Sequence, residues 1–273
     1  MRLRHALFGF TVLALAAALA GPAKAQTSVL DKVKRDGTMK VCFAQGMPDN
    51  FKDPRTGKWT GVMVDLVDEL AKWMKVRVEP VEVGWDVAVL SIKQGTCDLF
   101  GSSIVYNAPR ALEVNYIRPF GAKGINVVIP KNNPKGLKNP SDMNDPGITL
   151  IAELGTREQE TVQRLFPKAK VLAVKTQTTI QIVDQVKRGD ADAAVLPAIT
   201  VKWWLQVPEN AAWGAMGFPG QDFGNAPNGW AIRYGDPAWK DFLDAFSGWV
   251  AANNVSVNLY EDYMARTNPF VKN

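Results

Sequence analysis

One guanidinium, Arg110, stands twelve residues after Asp98 and downstream of the run CDLFGSS that starts at Cys97. The run reads as the end of a strand and the following residues as its loop, a placement that presents an arginine to a small anionic solute. A planar guanidinium donates two charge-assisted hydrogen bonds to one carboxylate and loses little rotamer freedom in doing so. The competing reading is a surface arginine in a turn after Pro109. Imidazole chemistry is closed to the mature chain, because His5 is the only histidine in the sequence and falls in the leader described next. Ser/His and Cys/His pairs and the common histidine-containing metal sites are therefore excluded. Carboxylate, lysine, tyrosine and thiol chemistry remain.

Arg2, Arg4 and His5 form a basic start, Ala6 to Ala20 an apolar run, Gly21 and Pro22 a break, and Ala23-Lys24-Ala25 a small-x-small cleavage site. The apolar run is shorter than the roughly 20 residues of a membrane span. Residues 1–25 are read as a cleaved export signal, with mature protein starting near Gln26 in the periplasm. Removing them takes away Arg2, Arg4 and Lys24 and no acid, so the formal charge falls from +5 to +2 and nucleic acid is not an expected partner. The remaining 248 residues allow one large domain or two smaller ones.

Cys42 lies in an expected strand starting at Met39, and Cys97 opens another. Two thiols in an oxidising compartment usually pair, and neighbouring parallel strands would bring their Cα atoms within the roughly 4.4–6.8 Å that a disulfide needs. A bridge is expected; two unpaired buried thiols are the alternative.

The elements that must position these groups alternate between strand and helix. Met63, Leu66, Val67, Leu70, Trp73 and Met74 recur at helical spacing, Val76 to Val83 read as a strand, Asp86 to Gln94 as a short helix stopped by Gly95, and Asp98 to Ser102 as a strand. A second series follows: strands at Ile148, Lys170 and Ala193, with helices over Thr156–Leu165 and Thr178–Arg188 between them. A Pro/Asn/Gly-rich stretch from Pro130 to Pro146 separates the two. Gly229 starts a further strand, and Pro237 to Ala252 form a helix with Phe242, Leu243, Phe246 and Trp249 on one face. Such βαβ series mean parallel-rich sheets flanked by helices, and two series mean two α/β lobes.

At this level the chain resembles the extracytoplasmic solute-binding proteins of ABC importers, in the polar amino acid family (bacterial solute-binding protein family 3). VLDKVKRDGTMKV from Val29 is similar to the family's opening helix and strand, and GKWTGVMVDLVDELA from Gly57 to its next helix start. LSIKQGTCDL from Leu90 and GDADAA from Gly189 resemble its two G-x-x-D steps, and Gly229 to Asn254 its return strand and C-terminal helix. The resemblance implies a type II periplasmic-binding-protein fold. Lobe 1 would span 26–121 and 230–273, lobe 2 122–229, and the two crossing strands would fall near Phe120–Gly124 and Asn225–Trp230. Ligand would be held in the cleft by hinge closure.

By the same resemblance Arg110 matches the arginine that binds the ligand's carboxylate and Trp85 the aromatic wall, although an aromatic heading a helix can equally be core. Ser103 and Asn107 sit in the loop that would complete the carboxylate site. LGTR from Leu154 resembles a turn whose helix N-terminus faces the anion; Thr156 and Arg157 are the candidates there, for ligand binding or for plain capping. Two positions depart from the pattern: Val105 stands where a Thr is usual, and Pro197 where an Asp would pair a ligand ammonium. Glu153 is a candidate replacement carboxylate; otherwise the solute is a carboxylate without an amine.

The reading is a binding protein and not an enzyme, with no cofactor and no metal. It would act as a monomer, taking a small anionic or zwitterionic solute to an ABC transporter permease at the inner membrane. The alternatives are an exported cyclohexadienyl (prephenate/arogenate) dehydratase-like enzyme, for which Glu153 is the acid or base candidate, or an accessory partner of a periplasmic dehydrogenase.

Overall fold

The computed structural model describes residues 27–266 and 268–271. The export signal read over 1–25 lies outside the described residues. Among the described residues, no helix is long and apolar enough to cross a membrane.

The chain starts with α1 (Val29–Asp36), β1 (Thr38–Phe43), a hairpin of β2 (Phe51–Lys52) and β3 (Trp59–Thr60), α2 (Val62–Met74), β4 (Arg77–Glu82) and α3 (Ala88–Gln94). It continues through β5 (Leu99–Val105), the one-turn α4 (Ala108–Ala111), β6 (Asn115–Tyr116) and the long β7 (Gly121–Pro130). The second α/β series is β8 (Thr149–Glu153), α5 (Arg157–Leu165), β9 (Lys170–Val174), α6 (Ile182–Arg188) and β10 (Ala193–Pro197). Then come α7 (Ala198–Trp204), α8 (Pro208–Trp213), β11 (Gly214–Met216), the long β12 (Phe223–Ile232), α9 (Pro237–Ala252) and α10 (Val255–Ala265).

The main sheet runs β4-β1-β5-β12-β7-β10-β8-β9. β4, β1 and β5 are parallel to one another, as are β10, β8 and β9, which is what helical connections between strands impose. The two triplets are joined by the antiparallel pair β7 and β12. Near its middle β12 pairs Asn228 and Gly229 with Val105 and Ile104 of β5, and on its other side pairs Pro227 with Ala122 of β7. Each triplet carries its own core. In the first, Met39, Val41 and Phe43 of β1 meet Leu66 and Leu70 of α2 and Trp239 and Phe246 of α9. In the second, Val127 of β7, Leu150 of β8 and Val195 of β10 meet Val162 of α5 on one face, while Ile182, Leu196 and Trp204 pack on the other. The architecture is the two-lobe α/β fold.

Differences from the sequence reading are local. Asp98 stays out of β5 because its carboxylate accepts from Lys40 N at 2.9 Å and from Lys32 Nζ at 2.8 Å. The helix read from Asp86 opens as a 3₁₀ turn, Trp85–Val87, before α3 begins. β12 starts at Phe223, six residues ahead of the Gly229 start, through a Gly-Asn-Ala-Pro-Asn stretch with no strand-like pattern. The expected bridge is present: β1 and β5 are parallel neighbours, and Cys42 is joined to Cys97 with Cα atoms 5.6 Å apart.

Candidate ligand-binding cleft

The lobes meet where β7 and β12 cross, over a narrow cavity of about 50 Å³. Trp85, Ser103, Val105 and Arg110 line it from the first lobe; Thr156, Arg157, Glu158 and Pro197 line it from the second. Gly46, Asp49, Lys123 and Thr200 complete the wall.

Arg110 lies on the single turn α4, whose start is fixed by Asn107: its side-chain oxygen accepts from Arg110 N at 2.8 Å. The guanidinium is buried and reaches across the cleft, where Nη2 donates to the Gly155 carbonyl at 2.7 Å and lies 3.4 Å from Glu160. Its Nε and Nη1 donors have no acceptor among the described residues, so part of the fork stays available to an anion in the cavity. Trp85 is positioned by an Nε1–H bond to the Gln45 carbonyl at 2.9 Å and by an edge contact with Phe100. Ser103, read as a loop residue, lies within β5, which runs on to Val105 because β12 pairs with its last residues; its hydroxyl accepts from Asn228 Nδ2 at 2.8 Å, which ties the cavity floor to β12.

On the other wall Thr156 caps α5, accepting from Gln159 N at 3.4 Å and donating to the Glu153 carbonyl at 2.7 Å. The N-terminus of α5 therefore faces the cavity, an arrangement that favours negative charge. Arg157 is committed differently. Its Nη1 donates to the carbonyls of Lys123 and Gly224, both at 2.9 Å, and its Nη2 to Glu158 at 2.9 Å, so the side chain staples α5 to both crossing strands.

Five of the seven residues read as ligand-binding, namely Arg110, Trp85, Ser103, Thr156 and Arg157, come together at the cavity. Two do not. Asn107 serves α4 as its cap and donates to Glu160 at the cleft rim. Glu153 sits at the end of β8, accepts from Thr176 Oγ1 at 3.1 Å, and is absent from the cavity wall. The carboxylates that do reach the cavity, Asp49 and Glu158, escaped the sequence reading, as did Lys123. Asp49 is held by backbone bonds from α2, Met63 N to Asp49 O at 2.7 Å and Val62 N to Pro48 O at 3.1 Å. That approach requires Gly61, whose φ is +124° and where a Cβ would lie 2.4 Å from the Asp49 carbonyl oxygen. A motif glycine thus stood in the sequence, but nothing in it pointed to Asp49.

Asp49 accepts from both Lys123 Nζ and the Tyr260 hydroxyl, and the Lys123 ammonium lies 5.1 Å from the Tyr260 ring centroid. Burial pulls the Lys123 ammonium below its ordinary pKa, and the Asp49 charge opposes that pull. Burial, with the Asp49 charge next, raises the Tyr260 hydroxyl well above its usual value.

Closure is visible in further contacts across the cleft. Lys175 pairs with Asp86 at 2.7 Å, Thr200 donates to the Met47 carbonyl, and Trp203 packs against Phe51 with ring centroids 5.5 Å apart. Gly155 makes a close backbone approach across the cleft: at φ +79° its missing Cβ would lie 2.8 Å from Asp86 Cα and 3.0 Å from the Trp85 carbonyl oxygen. Gly155→Ala is therefore expected to hold the lobes apart. Ligand affinity should fall by about tenfold, roughly 1.4 kcal/mol, and small-angle scattering should give a larger radius of gyration than wild type.

The model of the bacterial extracellular solute-binding proteins, family 3, matches residues 39–266. The L-cystine-binding protein TcyJ of Escherichia coli K12 is 23% identical over 248 residues, covering 91% of this chain and 89% of that protein. Cyclohexadienyl dehydratase of Pseudomonas aeruginosa is 24% identical over 244 residues, covering 88% and 87%. Among solved structures, a binding component of an ABC transporter from Wolinella succinogenes complexed with lysine superimposes with a TM-score of 0.76 at 26% identity, covering 85% of this chain and 97% of that one. With a match over most of its length and the two-lobe cleft to accompany it, the chain belongs to family 3 of the bacterial extracellular solute-binding proteins.

Proposed function

We propose that this protein is a periplasmic receptor that closes its lobes, 26–121 with 230–273 and 122–229, over an amino acid or a related small carboxylate and delivers it to an ABC transporter permease. The observation that carries this reading is Arg110: a buried guanidinium on the cavity wall, bonded across the cleft on one nitrogen and with no acceptor on the others among the described residues. Ligand that bridges Arg110 and the N-terminus of α5 contacts both lobes at once and so stabilises the closed state over the open one. The relatives named for amino acid ligands support the same class of solute. Native mass spectrometry of protein purified from periplasm, followed by a melting-shift screen of amino acids and organic acids, tests it. A bound mass that matches a hit in the screen is the expected result; no hit in either class would remove the receptor reading.

A second reading is an exported dehydratase of prephenate-like acids. It draws on the relative of that name and on Asp49 beside Lys123 and Tyr260, a carboxylate at the cavity with proton donors in contact. Turnover of prephenate lost in Asp49→Asn would establish it, and absence of turnover would leave binding alone.

A further inference from the structure

We infer that Lys123 is the cleft's own resident ammonium, and that by occupying the buried carboxylate Asp49 it restricts the solute to small monocarboxylates without an amine. The inference rests on the receptor reading above and adds the class of ligand.

Charged groups at the cavity fall into two closed pairs and one open group. Asp49 is bound by buried Lys123 and half-buried Tyr260, and Glu158 by Arg157, both of these buried; Arg157 is further fixed by hinge carbonyls. Among the described residues Arg110 has for its ionic partner only Glu160, whose side chain is 43% exposed, at 3.4 Å. Three cations against two buried acids leave one positive charge for a ligand to neutralise. A monoanion does so; a zwitterion brings an ammonium that finds both acids already paired.

The strand register shows where that ammonium would compete. Pro197, with neither charge nor N–H, ends β10 opposite Ile125, two residues along β7 from Lys123, and both Pro197 and Lys123 line the cavity. A lysine amine and a ligand amine there would share one acceptor in a water-poor space, where like charges repel strongly. The cavity is narrow, at about 50 Å³, which points to short acids.

The test uses two matched pairs that differ only by amine or hydroxyl: lactate with alanine, and glycolate with glycine. Calorimetry on wild type should show each hydroxy acid binding at least about tenfold more tightly than its amino acid. Lys123→Ala opens Asp49 to a ligand ammonium and should reverse that preference. The double variant Lys123→Ala with Asp49→Asn removes both buried charges, and the amino acid gain should vanish with them. A lysine that merely supported the fold would change stability and leave the ratio between paired ligands unmoved. Wild type that binds alanine or glycine as tightly as lactate or glycolate overturns the role of Lys123 and leaves the receptor intact. Wild type that binds longer acids and their amino counterparts equally well overturns it too. No binding by any of the four probes overturns this inference, and the receptor reading then stands or falls by the melting-shift screen.

Discussion

Arg110→Ala should abolish ligand-induced thermal stabilisation while leaving the unliganded fold nearly as stable as wild type. The guanidinium is buried, and each charge-assisted bond it gives a carboxylate contributes roughly 1.5–3 kcal/mol, so losing a two-pronged contact should weaken binding by about a hundredfold or more. At a ligand concentration of about 100 Kd, wild type gains about 2.7 kcal/mol; a hundredfold weaker variant gains only about 0.4 kcal/mol under the same conditions. For a chain of this size that is a melting shift of roughly 5–10 °C reduced to about 1 °C. The fold itself loses one bond to the Gly155 carbonyl and a contact with the half-exposed Glu160, together about 1 kcal/mol. Arg110→Lys keeps the charge and loses the fork, so it should bind at an intermediate level. An undiminished melting shift in Arg110→Ala would place the anion elsewhere in the cleft.

What the sequence could show about this site follows from the kind of signal each residue left. Arg110, Trp85 and Thr156 sit at the starts of helices and Ser103 in the second half of β5, where periodicity and turn residues fix position along the chain, and family motifs mark the neighbouring boundaries. Strand and helix alternation was legible for the same reason, since apolar spacing reports which face is buried. Asp49 and Lys123 left no such mark. An acid in a Met-Pro-Asp-Asn loop and a lysine between two glycines look like surface residues until the crossing of β7 over the cleft buries them against Tyr260 of a helix that the sequence reading did not extend to. Glu153 illustrates the converse. Its place beside the Gly-Thr turn is right along the chain, but at the end of β8 its side chain goes to Thr176. Pair contacts between segments some 75 to 210 residues apart, such as Lys123 and Tyr260 with Asp49, are set by the hinge and not by local pattern.

Removing the Cys42–Cys97 bridge should lower stability by about 4 kcal/mol, a value set by the 55-residue loop that it closes, and the melting temperature by roughly 8–16 °C. The effect should lie mainly in the unfolded chain, because the native register of β1 and β5 has support of its own: Asp98 N donates to the Lys40 carbonyl at 2.8 Å and Lys40 N to the Asp98 carboxylate at 2.9 Å. The closed loop contains α2, β4 and α3 and with them Asp49 and Trp85, so it encloses part of the first lobe's share of the cavity, while Ser103, Val105 and Arg110 lie beyond it. Because those residues keep their local bonds once folded, Cys42→Ser with Cys97→Ser should melt earlier yet retain a ligand-induced shift close to that of wild type. Differential scanning calorimetry of wild type with and without reductant, and of the double variant, measures the first part; adding the solute found in the screen measures the second. A melting change below about 2 °C would mean that the bridge does not restrict the unfolded chain. A ligand shift lost along with stability would mean that the bridge also holds the cavity in shape, which would move Cys42 and Cys97 from fold stability into binding.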